Sequence, residues 1–179
     1  MAARAVSDLV WRAMRGSDID GVVKVAAACF PDHFEARACF EERLALFPQG
    51  CFVLASGETV RGYLIAYPWT LGAIPPLNSL LGGLPDTREA FYLHDLALHP
   101  DARGQGHARP IVERLATGLA ALGGRWLALV SVNGSVDFWR GMGFEPVAGD
   151  EGTARKLESY GGGSTYMLRD IAGPSTGSG

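Results

Sequence analysis

A chain of 179 residues, 47% apolar and 20% charged, has the make-up of one soluble globular domain: long enough for a real core, too short for two comfortable ones. Its net charge of −3 argues against nucleic acid as the main partner, because phosphate binding needs a clustered Lys/Arg face. No apolar run approaches the roughly 18–20 residues that span a bilayer, and residues 1–15 lack a signal peptide's apolar stretch, so no membrane association and a cytoplasmic location are expected.

Cys29, Cys39 and Cys51 are odd in number and include no C-x-x-C pair. They fit neither a disulfide framework nor a zinc site, and read as buried thiols with no metal. Residues 1–172 are taken as one domain, and residues 173–179, without an apolar side chain, as a flexible tail.

In chain order, Trp11 to Arg15 suits a short first strand. Ser17-Asp18-Ile19-Asp20 approximates a capping box, and Ile19, Val22, Val23, Ala26 and Phe30 recur at helical spacing, predicting a helix from about Asp18 to Cys29. Phe40, Leu44 and Phe47 form the stripe of a second helix, ended by Pro48-Gln49-Gly50. Strand-like runs at Cys51–Ser56 and Val60–Trp69, joined by Gly57-Glu58-Thr59, predict a hairpin. Residues 68–89 carry four prolines and read as a long loop, either a substrate-covering segment or a plain insertion.

Phe91 to His99 is the next strand, and after a glycine-containing loop comes a helix with Ile111, Leu115, Leu119 and Leu122 on one face. Pro110 falls in its first turn, where a missing N–H costs nothing. Trp126 to Val132 is an almost wholly apolar strand, Asn133 to Trp139 a short helix, and Phe144–Ala148 and Ser164–Arg169 two closing strands. This mixed order predicts an α/β or α+β fold around one mixed sheet flanked by helices.

The chemistry centres on Arg103-Gly104-Gln105-Gly106-His107-Ala108, between a strand and a helix. Glycines there let backbone approach a ligand closely, and the helix start offers unpaired N–H groups and a positive dipole end. That suits a phosphate or pyrophosphate, although the glycines could also serve only a tight turn. The loop lacks the Gly-Lys-Ser/Thr of a Walker motif and the third glycine of a dinucleotide fingerprint.

The hexapeptide resembles the Gln/Arg-x-x-Gly-x-Gly/Ala signature of the GNAT (Gcn5-related) N-acetyltransferase superfamily. Residues 92–100 look like that family's fourth strand, Leu127 to Asn133 like its fifth, and Phe138-Trp139-Arg140-Gly141-Met142-Gly143-Phe144 like its closing helix and turn. The resemblance covers Phe91 to Phe144 and implies a single domain with a V-shaped opening between the fourth and fifth strands. It implies acetyl-CoA (coenzyme A) as cofactor, its pyrophosphate on the backbone amides of Arg103, Gly104, Gln105, Gly106, His107 and Ala108. It also implies the pantetheine arm on the backbone of Leu96, Ala97 and Leu98, with Asn133, Phe138 and Trp139 completing the cofactor contacts. Asn133 reads equally as a helix N-cap.

An alkylamine acceptor is only about 0.04% neutral at pH 7, and deprotonating it costs roughly 4.6 kcal/mol, so a base is useful. His94 is the leading candidate, being a residue type that titrates near neutrality. The period of two places Tyr92, His94, Leu96 and Leu98 on one face and Asp95 on the other, and His94 could also be a hydrogen-bonded core histidine. The resemblance to the arylalkylamine branch of the family, with its His-Leu-His run, implies a catalytic role for His94, with Tyr92 in the place of that run's first histidine; His99 and His107 are weaker choices. Trp139 stands where many relatives carry a tyrosine that protonates the leaving thiolate. The acid role is therefore unassigned, and Tyr160 and Tyr166 cannot be placed.

The expectation is an N-acetyltransferase acting on a primary amine of a small molecule or peptide. The alternative is a non-catalytic module of the same fold that binds and senses coenzyme A. A homodimer is a family-level expectation only.

Overall fold

A computed structural model describes residues 8–132, 134–148 and 151–172. The chain forms two compact units, Met1–Tyr67 with Pro76–Leu84 and His94–Ile111, and Pro68–Pro75 with Pro85–Leu93 and Val112–Gly179. The strands form one seven-stranded sheet, mixed as the sequence predicts.

In the first unit, β1 (Val10–Ala13) pairs antiparallel with β2 (Cys51–Ser56), and β2 with β3 (Thr59–Pro68). The expected hairpin forms about Gly57, at φ 59°. Strand β2 is apolar on both faces, and Val53, Leu54, Tyr63, Leu64 and Ile65 are fully enclosed. Helix α1 (Ile19–Cys29) buries Ile19, Val22 and Val25, the stripe its spacing predicts.

Helix α2 (Arg37–Leu46) departs from expectation, because its buried face is Cys39, Phe40 and Arg43, whereas Leu44 is half-exposed. A charge enters the core because Glu35 receives it there. Strand β4 (Ala90–Leu98) begins in the second unit and continues into the first.

In the second unit, β5 (Trp126–Ser131) runs parallel to the start of β4 and antiparallel to β7 (Thr165–Asp170), which pairs with β6 (Glu145–Pro146). Helix α3 (Ala108–Ala121) begins in the first unit and continues into the second, and buries Ile111, Val112, Leu115 and Leu119. The short helix α4 (Val136–Arg140) starts three residues later than expected, after Ser135, whose hydroxyl donates to Val132 O at 2.7 Å.

Helix α5 (Glu151–Ser159) has no counterpart in the sequence reading. Its signal is nonetheless present, since Thr153, Leu157 and Tyr160 sit at i, i+4 and i+7 and turn inward, between glycine-rich flanks. Among the described residues no helix is long and apolar enough to cross a membrane. Residues 173–179 and Asn133 lie outside the described residues.

Candidate active site

The glycine loop follows β4 and a single turn at Pro100–Ala102 anchored by the buried Ala102. Gly104 and Gly106 adopt φ 73° and 78°, a region that L side chains enter at a cost of about 1–2 kcal/mol. No described atom lies within 4 Å of where a Cβ would stand at either, so conformation and an open outer side, not internal packing, call for glycine.

Side chains brace this loop from beneath. Arg103 Nε donates to Leu98 O (2.9 Å), Gln105 Nε2 to Asp101 O (3.2 Å), and the Trp11 indole to His107 O (2.8 Å). His99 Nδ1 accepts from Asp101 N–H, and His107 Nε2 meets the Gln105 amide oxygen at 3.3 Å, so both histidines are loop supports. The exposed backbone of residues 103–106 leads into the first turn of α3, an arrangement that fits a pyrophosphate.

Strand β4 is irregular. Trp69 N–H donates to Ala90 O, and His99 N–H donates to Arg61 O, so both residues face β3 although they lie an odd number of positions apart. A regular strand cannot do this, and an inserted residue must break the alternation between them. The expectation that Asp95 faces away from His94 fails for that reason: nitrogen of His94 and carboxylate oxygens of Asp95 and Glu35 all gather within 4.8 Å. With Ala97 buried and His99 turned to β3, the alternation puts the main-chain groups of Leu96 and Leu98 on the side of β4 away from β3. The Leu98 carbonyl accepts from Arg103 and from the Cys29 thiol (3.2 Å).

His94 is enclosed, its side chain only 2% exposed. Its Nδ1 lies 2.9 Å from the Tyr67 hydroxyl and its Nε2 2.8 Å from Glu35 Oε1. Glu35 Oε2 accepts from Arg43 Nη2 at 2.5 Å and from the Asn78 N–H at 3.3 Å. Burial alone would raise the Glu35 carboxyl, but hydrogen bonds and charge from His94 and Arg43 outweigh it and hold the group at about 2. Arg43 is pushed up by the same carboxylate against its own burial, and its Nε and Nη1 find no acceptor among the described residues.

Asp95 accepts from the Tyr63 hydroxyl at 3.0 Å. Burial raises both of these groups. Glu35, His94 and Asp95 have the spacing of a cation site, yet the buried Arg43 guanidinium already neutralises Glu35 and would repel a divalent ion.

Tyr92 lies in the second unit, 2% exposed and opposite Ala128. Trp139, 8% exposed, packs edge-on between Phe138 and Phe144 with ring centroids 5.0 and 5.5 Å away, so its place is a packing one; Phe138 itself is half-exposed. The two tyrosines that the sequence could not place hold the long loop: Tyr166 Oη accepts from Gly72 N–H (3.0 Å) and Tyr160 donates to Pro75 O.

In the first unit, residues 76–84 of that loop are clipped by carboxylates, Glu35 on Asn78 N–H and Glu42 on the N–H groups of Leu81 (2.6 Å) and Gly82 (3.0 Å). Sequence reasoning missed Glu35, Arg43, Tyr63 and Tyr67. The signal available was Arg43, a charge three residues after Phe40 and four before Phe47, inside an apolar stripe.

The model of the acetyltransferase (GNAT) family matches residues 8–144. Among curated proteins nothing matches. Solved structures of similar fold include the GphF GNAT-like decarboxylase in complex with isobutyryl-CoA (20% identity, 90% of this chain and 99% of that one, TM-score 0.73). They also include the loading GNATL domain of CurA from Lyngbya majuscula (14%, 91% and 98%, TM-score 0.72) and Ard1 from Thermoplasma volcanium (12%, 91% and 97%, TM-score 0.67).

Proposed function

Because the chain belongs to the GNAT acetyltransferase family, we propose that it moves an acetyl group from acetyl-CoA to a primary amine of a small molecule or peptide. The observation that carries this reading is the loop at Arg103–Ala108: two left-handed glycines with open outer sides, braced by Trp11, Gln105 and Arg103, ahead of α3. Its backbone amides would hold the pyrophosphate, and the main chain of β4 at Leu96 the pantetheine arm. Asn133 and Phe138 would add contacts, with Trp139 behind Phe138 as support.

The bound cofactor supplies an activated thioester; the amine nitrogen bonds to the acetyl carbon as the C–S bond breaks, and one proton leaves the nitrogen. His94 accepts that proton in our reading. Both His94 and the Tyr67 it meets are enclosed, so in this reading the proton reaches His94 by a relay that ends on the Tyr67 hydroxyl, and His94 does not touch the amine. With Trp139 in the phenol position, the thiolate departs without a dedicated acid; a thiol pKa near 8.5 makes that tolerable. The protein is read as cytoplasmic, with no membrane or nucleic-acid partner.

The test is thiol release from acetyl-CoA across a panel of amines, beside calorimetry with coenzyme A. Amine-dependent release supports transfer. Tight coenzyme A binding without release from any amine supports a sensing module instead.

A further inference from the structure

Glu35 lies outside every motif of the sequence, yet Arg43, His94 and the Asn78 N–H converge on its carboxylate. Its Oε2 faces two groups that can only donate, the Arg43 guanidinium at 2.5 Å and the Asn78 backbone N–H at 3.3 Å. Its Oε1 lies 2.8 Å from His94 Nε2. The carboxyl stays ionised throughout the neutral range, so it has no proton to give. The hydrogen bond to His94 must therefore run from an Nε2–H to Glu35. A neutral imidazole carries one N–H, so Nδ1 is left with its lone pair, 2.9 Å from the Tyr67 hydroxyl.

We propose that Glu35 is a positioning residue for His94: by taking the Nε2–H bond it fixes one tautomer and leaves Nδ1, facing Tyr67, as the nitrogen that receives a proton. This rests on His94 being the base of the reading above. The step balances at Tyr67: its oxygen receives one proton from the acceptor side as its own hydroxyl proton passes to Nδ1. The phenol ends neutral, and the imidazolium stands against the Glu35 carboxylate. Around the ring the titratable and charged groups are Tyr63 and Tyr67 of β3, Asp95 beside it on β4, Arg43 and Cys39 of α2, and Glu35 itself. Of these, Glu35 and Tyr67 lie within hydrogen-bond distance of the ring nitrogens.

The experiment is nitrogen-15 NMR of labelled histidine in wild type and Glu35→Gln, beside amine kinetics. Wild type should show neutral His94 as the Nε2–H form. In Glu35→Gln the amide must turn its oxygen to Arg43 and Asn78, two donors, which puts its NH2 against Nε2 and forces the Nδ1–H form. With the tautomer reversed, kcat should fall roughly tenfold or more at unchanged KM for acetyl-CoA. The acid limb of the rate profile is read beside it and should differ from that of wild type.

A wild-type spectrum showing Nδ1–H overturns the proposal, as does a Glu35→Gln protein that keeps Nε2–H or keeps wild-type kcat and acid limb. Should Glu35→Gln not fold, Tyr67→Phe serves: it should retain Nε2–H and lose rate, and loss of Nε2–H in that variant overturns the assignment. The tautomer is read without turnover, so a wild type inert towards amines but showing Nε2–H contradicts acetyl transfer while upholding what Glu35 does to the ring.

Discussion

Arg43 is a full charge with 1% of its surface exposed, satisfied through one nitrogen by one carboxylate. Taking the guanidinium out of water is costly, and Glu35 offsets it only while both partners are present. Arg43→Met should therefore lose about 3–5 kcal/mol in urea unfolding, since it strands a buried Glu35 charge. Adding Glu35→Gln to that variant should recover part of the loss, because no unpaired charge remains; strict additivity of two losses would contradict the coupling.

Acid tests the same residue. Glu35 ordinarily titrates at 4.5 and does so at about 2 in the fold, so its contribution is present above 4.5 and is lost as pH falls from there towards 2. Asp95, raised by burial, takes up its proton earlier and favours the fold as it does so, which concentrates the loss below the ordinary Glu35 value. Stability measured against pH in Glu35→Gln should lack that acid step.

At the scale of elements, the spacing of apolar residues suffices for the helices and strands that pack a core stripe, and for the loop that precedes α3. It fails where tertiary partners override the period. The face of α2 rotates because Glu35 receives Arg43, and the alternation of β4 breaks between Ala90 and His99, which brings Asp95 beside His94. Glu35 lies 8 residues from Arg43 and 59 from His94, so beyond the out-of-place charge at Arg43 no local pattern announces the cluster. Trp139 stands in a position legible from its motif, while the departure of its role from that of a phenol becomes concrete only through its packing on Phe138 and Phe144.

The long loop is similarly silent in sequence, yet its middle is held by Glu42 through two backbone N–H groups. If residues 76–84 cover the acceptor, Glu42→Ala should raise the KM for the amine and leave acetyl-CoA affinity unchanged. Equal loss for both ligands would mark the segment as structural only.

For the molecule as a whole, the mixed sheet and the family are established, and the loop before α3 holds Gly104 and Gly106 in left-handed conformations. The order of strands and the glycine loop were legible because each depends on short-range pattern. The acceptor's identity was not, because the parts of the chain before β4 that surround His94 carry no shared motif. Acetyl transfer to an amine nitrogen from a cofactor held on the Gly104–Gly106 loop is read out by incubating the protein with carbon-13 acetyl-CoA and a panel of primary amines and following the products by mass and NMR. Wild type should place the label on nitrogen and folded Gly106→Val should not, its coenzyme A binding being lost because a β-branched residue cannot hold φ near 78° and keep the amides aligned. Labelled N-acetyl product at wild-type rate from Gly106→Val, or coenzyme A bound by wild type with no acetylated amine from any acceptor, would contradict that reading.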